Sequence, residues 1–289
     1  MRIYNCQGRL ALGVDDMAVD VEAASDGAFE ADVGKLFDRW DELVDWVRRY
    51  DGKGEAFEVD ATQLGPPVPR PPQVFGIGLN YREHALEAGL QLPERPMVFT
   101  KFPGSVTGPS GAIALPSGSV DFEVELVVVI GRRAERVPAD RAWEVVAGLT
   151  VGQDLSDREL QFAGSTPQFS LAKSFTGFAP IGPALVTPDE VADLDDLALG
   201  CQLNGELMQR GHTSDLIFPI ADLIAYLSSV LPLFPGDLIF TGTPSGTGWS
   251  RNPKRTLRVG DQLLSWVEGI GSMHHTFASP IVTSPSGEA

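Results

Sequence analysis

Val120-Asp121-Phe122-Glu123-Val124-Glu125-Leu126-Val127-Val128-Val129-Ile130 reads as a β-strand. Alternate side chains of a strand share a face, which sends Asp121, Glu123 and Glu125 the same way. Leu126 to Ile130 is apolar on both faces, as in a strand buried inside a sheet. The alternative is an edge strand whose acidic face meets solvent. Carboxylates crowded on one buried face repel each other and resist desolvation unless a cation compensates them. Oxygen-only ligands suit a hard divalent ion, Mg²⁺ first and Mn²⁺ or Ca²⁺ next. The stretch therefore points to a β-rich protein with a metal site on an interior strand.

Working outward, the chain divides at Pro66-Pro67-Val68-Pro69-Arg70-Pro71-Pro72, five prolines in seven residues. Such a connector is stiff and extended, and neither a helix nor a sheet interior accepts it. Before it, alternating residues in Met1 to Val14 and Met17 to Val21 predict short strands. Leu36, Trp40, Leu43, Val44 and Val47 then fall on one helical face. Residues 1–70 thus form a small α/β unit, and 73–280 a β-rich one punctuated by Gly and Pro. Residues 281–289 read as a frayed tail. Leu216 to Leu231 is apolar but interrupted by Pro219 and Asp222, which suits a core or interface helix rather than a membrane span.

Composition narrows the partners. A chain of 289 residues with 43% hydrophobic content can bury a full core. A net charge of −17 argues against nucleic acid and anionic membranes. An anionic substrate remains compatible if a metal supplies positive charge locally. The first residues carry no charged-then-apolar leader, and the expected location is cytoplasmic. Cys6 and Cys201, far apart and outside any CxxC, read as free thiols.

Four further stretches carry chemistry. Gly76-Ile77-Gly78-Leu79-Asn80-Tyr81 begins like a dinucleotide fingerprint but has Tyr81 at the third glycine position. His84 and Glu87 follow at helical i and i+3, where a carboxylate can fix the imidazole tautomer and make a base; a surface pair is the alternative. In Asp154-Leu155-Ser156-Asp157-Arg158-Glu159-Leu160-Gln161, Asp154 could close the metal site or simply cap the helix that sets Arg158 and Gln161 on one face. Lys173, among apolar neighbours, could hold an anionic oxygen or snorkel to solvent. Thr241 to Gly248 lacks the Gly-Lys-Ser/Thr of a phosphate loop, though its amides and Thr243 could bind a carboxylate.

These residues, with Asn204-Gly205-Glu206, Thr213-Ser214, Pro235-Gly236-Asp237 and Thr241-Gly242-Thr243-Pro244, resemble the fumarylacetoacetate hydrolase superfamily in its short form. The resemblance runs from Val74 to Phe277 and implies an α+β, β-rich fold. The catalytic domain would be a mixed β-roll or barrel behind a small N-terminal α/β domain. It assigns Glu123, Glu125 and Asp154 to Mg²⁺ or Mn²⁺, and His84 and Glu87 to activation of water from a short lid. Lys173, Arg158, Gln161, Thr243, Lys101 and Tyr81 match positions at the substrate. Family members often carry a basic residue where this chain has Leu79. A homodimer is also implied.

A 2-oxo acid offers a carboxylate and a ketone oxygen to a hard cation, which stabilises the enolate formed when the neighbouring C–C bond breaks. The first expectation is hydrolysis of a 2,4-dioxo acid of the acylpyruvate type. The second keeps the site but decarboxylates an oxaloacetate-like acid or isomerises a dioate. The third is a catalytically silent binder of metal and small acids, for which the His84-Glu87 pair would have no use.

Overall fold

The computed structural model describes residues 1–280; the expected tail at 281–289 lies outside them. Val124–Ile130 sits inside a mixed sheet, between Val146–Gln153 and Leu238–Phe240. Both of its faces are covered, as its unbroken apolar run requires. Leu126, Val128 and Ile130 pack under the helix Ile220–Val230 through Leu223, Ile224 and Leu227. Val127 and Val129 pack the other way, with Leu36, Trp40 and Leu43. Burying each such aliphatic side chain contributes about 2 kcal/mol.

The opening stretch is nevertheless not one strand. Val120–Asp121 pairs with Ser156–Asp157 in a separate two-stranded ladder, and the long strand begins at Val124. Side chains replace the ladder between them: Glu123 N donates to Gln153 Oε1 at 2.9 Å and Val124 N to Gln209 Oε1 at 3.0 Å. Freed from strict alternation, Asp121 falls outside the cluster that Glu123 and Glu125 form with Asp154. Its carboxylate accepts from Gly248 N at 2.7 Å and Trp249 N at 3.1 Å.

The sheet continues through Val74–Gly78 to Met97–Thr100 on one side. On the other, Ala179–Val186 pairs with the N-terminal strand Arg2–Cys6 through Arg2↔Val186 and Ile3↔Leu185. Arg9–Val14, Met17–Asp20 and Ala56–Phe57 extend it further. Ile3, Leu10 and Leu12 share one core with Val127, Ala179 and Leu185. The proline connector therefore separates two stretches of chain that share a sheet. A second sheet, in the order Glu206–His212, Ala198–Leu203, Gln262–Val267, Gly271–Ala278 and Ser110–Ala114, packs across the first. Among the described residues no helix is long and apolar enough to cross a membrane. Cys6 and Cys201 are free.

Candidate active site

Antiparallel pairing of Glu125 with Gly152, and a bond from Asp154 N to Glu123 O at 2.9 Å, bring the strand end Asp154 beside the two glutamates. Oxygens of Glu123, Glu125 and Asp154 lie within 4.8 Å of one another, and all three residues are buried. Asp154 is not a helix cap; that part falls to Asp157, whose Oδ1 accepts from Leu160 N at 3.0 Å.

Three buried cations grip this cluster. Arg158 donates to Glu123 at 2.5 Å, to Asp121 at 3.0 and 2.7 Å, and to Gln161 Oε1 at 2.8 Å. Lys173, just past the short helix Phe169–Ala172, does not snorkel: it is 2% exposed. Its ammonium donates to Glu123 at 2.6 Å, Asp154 at 2.6 Å and Ser156 Oγ at 2.7 Å. Lys101, wholly buried behind Asp154, donates to that carboxylate at 2.5 Å and to the Lys173 carbonyl.

The consequences differ from group to group. Burial works to raise Glu123, but Arg158, Lys173 and His84 overcome it and hold the carboxyl below the ordinary range. Glu125 has no such partner. Burial, with Asp154 and Glu123 beside it, drives it well above the usual carboxylate range, and its bond from Gly242 N at 2.7 Å offsets only part of this. Burial lowers Lys101 despite its contact with Asp154. Lys173 meets the same burial but is raised, because Asp154 and Glu123 prevail.

His84 lies on the helix Arg82–Glu87, whose base is fixed by the buried Asn80. Asn80 donates to Phe218 O at 3.1 Å and Thr241 O at 2.8 Å, and accepts from Phe218 N at 2.8 Å. His84 Nδ1 and Glu87 Oε1 are 2.8 Å apart, and Gly246 N holds the same carboxylate at 3.2 and 3.0 Å. Among the described residues Nε2 has no protein partner. His84 is buried, at 8% exposed, while Glu87 beside it reaches the surface.

His84, Glu123, Glu125, Asp154, Arg158, Gln161, Lys173 and Thr243 line one cavity of about 460 Å³. Tyr81 and Lys101 do not. Tyr81 is packed among apolar side chains, its hydroxyl without a hydrogen-bond partner among the described residues, and Lys101 reaches the site through Asp154 and the Lys173 carbonyl. Thr243 is at the wall, but its hydroxyl already donates to Val124 O and accepts from Gln209 Nε2, both at 2.8 Å. Sequence reasoning missed Asp121 as the anchor of Arg158, Ser156 as a partner of Lys173, and the aromatic walls. Only the helix phase of Arg158 and Gln161 gave any signal for the first; the others depend on chain segments that meet in the fold alone.

The profile of the fumarylacetoacetate (FAA) hydrolase C-terminal domain matches residues 73–278. The human mitochondrial oxaloacetate tautomerase FAHD2A is 43% identical over 207 residues, 71% of this chain and 66% of its own length. A Mycobacterium smegmatis crystal structure provisionally called HpcE superposes with TM-score 0.90 and 52% identity, covering 96% of this chain and 99% of its own. Maleylpyruvate hydrolase from Sphingobium sp. SYK-6, in complex with manganese(II) and pyruvate, superposes with TM-score 0.79 and 26% identity over 96% and 99% of the two chains.

Proposed function

Because the chain belongs to the fumarylacetoacetate hydrolase family, we propose that it hydrolyses a C–C bond in a 2,4-dioxo acid of the acylpyruvate type with the help of a divalent cation. The observation that carries this reading is a carboxylate-oriented histidine facing the same cavity as three buried carboxylates.

The donor set fits a cation. Four carboxylates, Asp121, Glu123, Glu125 and Asp154, meet three cations, Lys101, Arg158 and Lys173, so that with every group ionised one carboxylate is left without a basic partner. Among the described residues Glu125 is the member of the triad without a basic partner, and a bound cation would take the place of the proton that burial favours on it. Glu123, Glu125 and Asp154 would hold Mg²⁺ or Mn²⁺; Ca²⁺ accepts the same oxygen ligands. Bound there, the ion would supply positive charge for the 2-oxo acid's oxygens and for the charge that develops on them as the C–C bond breaks.

The chain's own groups do the rest. Arg158 has five N–H donors, of which four bonds are taken within the protein, leaving one on Nη1 for the substrate carboxylate. Gln161 can donate through its amide, since its oxygen is occupied by Arg158. All three N–H groups of Lys173 are committed, so it positions Glu123 and Asp154. Glu87, itself held by Gly246, keeps the proton of His84 on Nδ1 and frees Nε2 to act as a base. Nε2 takes a proton from water and the hydroxide attacks the distal carbonyl. The bond between that carbonyl and C3 breaks, its electron pair remains on C3, and C3 is protonated. One water is consumed, and a carboxylate, pyruvate and a proton are formed.

A second reading rests on the 43% identity to an oxaloacetate tautomerase. The same base would move a proton between C3 and the 2-oxo oxygen, with no water added. Incubating the Mg²⁺-loaded protein with acetylpyruvate and, separately, oxaloacetate decides between them. Acetate plus pyruvate, lost on adding EDTA, is the expected result. Intact acetylpyruvate with faster keto–enol exchange of oxaloacetate would transfer the assignment to a tautomerase, and CO₂ release to a decarboxylase.

A further inference from the structure

Away from its acidic floor the cavity turns apolar. Leu79, Met97, Phe99, Phe162, Phe169 and Trp249 form walls there. Phe99 stacks on Phe169 with ring centroids 5.7 Å apart, and Phe162 on Trp249 at 6.3 Å. Leu79 holds φ +55°, a conformation that glycine adopts without strain and leucine does not. Its side chain nonetheless lines the cavity.

Among the described lining residues the lysines and arginines are Arg158 and Lys173 alone. Both are committed at the floor, and the one N–H left on Arg158 serves the substrate's own carboxylate. Lys254, its ammonium 3.1 Å from the centroid of the Trp249 ring, is not part of the lining. A second carboxylate on the substrate would enter the apolar part without a cation to meet it, which is unfavourable wherever that carboxylate loses its hydration. The volume, about 460 Å³, falls in the class that encloses drug-sized ligands and exceeds the needs of a five-carbon acid.

Resting on the 2-oxo acid reading above, we infer that the group carried beyond the substrate's distal carbonyl is uncharged and apolar, an aliphatic or aryl acyl chain of several carbons. The cleaved acyl group then leaves as an apolar monocarboxylate, R–COO⁻, with its new oxygen from water and pyruvate as co-product.

Binding, not turnover, tests this. The full chain loaded with Mn²⁺ is titrated calorimetrically with pyruvate, 2-oxobutanoate, 2-oxohexanoate, 2-oxooctanoate and the diacid 2-oxoadipate, none of which can be cleaved by the proposed reaction. Each added methylene should tighten binding about fourfold, and 2-oxoadipate should bind at least tenfold more weakly than 2-oxohexanoate. Phe162→Ala, at a side chain already 46% exposed, should flatten the series, and Leu79→Arg should reverse the preference for the monoacid. A flat series in the unaltered protein, or a diacid bound as tightly as the monoacid, overturns the inference. If the series holds but acetylpyruvate is not hydrolysed, the reaction assignment falls and this one stands. If no 2-oxo acid binds, pyruvate included, both fall.

Discussion

Glu125 shows most plainly what the site requires. Glu123 touches Arg158 and Lys173, Asp154 touches Lys101 and Lys173, and Asp121 touches Arg158, while among the described residues Glu125 accepts only from the Gly242 amide. A buried carboxylate without a counter-charge destabilises the folded state, by at least about 1–3 kcal/mol. Glu125→Gln keeps an acceptor for Gly242 N and removes the cost of either ionising the buried carboxyl or holding it protonated. In EDTA the variant should therefore melt about 2–12 °C above the unaltered protein. Adding Mg²⁺ should raise the melting temperature of the unaltered protein and leave the variant unmoved. An equal Mg²⁺ shift in both would take Glu125 out of the metal site. At this scale the sequence was informative wherever residue type and period sufficed. Carboxylates two apart on a strand, and His and Glu three apart on a helix, declare themselves. Lys101 and Tyr81 did not, because one stands behind Asp154 and the other points into the core, and no local pattern encodes that depth.

The element that organises the site is the loop from Thr241 to Ser250. Its glycine amides hold three carboxylates of the protein itself: Gly242 holds Glu125, Gly246 holds Glu87 and Gly248 holds Asp121. The sequence marked this loop as a carboxylate binder but could not say whose carboxylates. Gly246 sits at φ +99°, and a Cβ there would come within 2.3 Å of the Met208 carbonyl. Gly246→Ala should displace the amide from Glu87 and loosen the orientation of His84. The loss of one charge-assisted hydrogen bond, about 1.5–3 kcal/mol, corresponds to a tenfold or greater fall in kcat, with Mn²⁺ affinity unchanged. Parallel loss of metal affinity would show that the loop had collapsed around Glu125 as well. The break between Asp121 and Val124 was equally hidden from the sequence. Alternation predicts one uninterrupted strand, whereas Gln153 and Gln209, 30 and 85 residues along from their partners, substitute for the ladder.

For the whole molecule, apolar periodicity identified the interior strand, the helix at 220–230 and the short N-terminal strands. It could not show that Arg2–Cys6 continues the central sheet beside Ala179–Val186, since that pairing joins segments about 180 residues apart. The same long-range closure brings the helix Arg82–Glu87, the interior strand, the helix start at Arg158 and the glycine loop to one cavity. The proposed function requires that, across this assembly, His84 moves the proton while the carboxylate triad holds the cation. Turnover of acetylpyruvate and Mn²⁺ affinity, measured together on the unaltered protein and on His84→Ala, test it most directly. Loss of a general base should lower turnover about a hundredfold or more with Mn²⁺ affinity within about twofold. Undiminished turnover in His84→Ala would contradict the account.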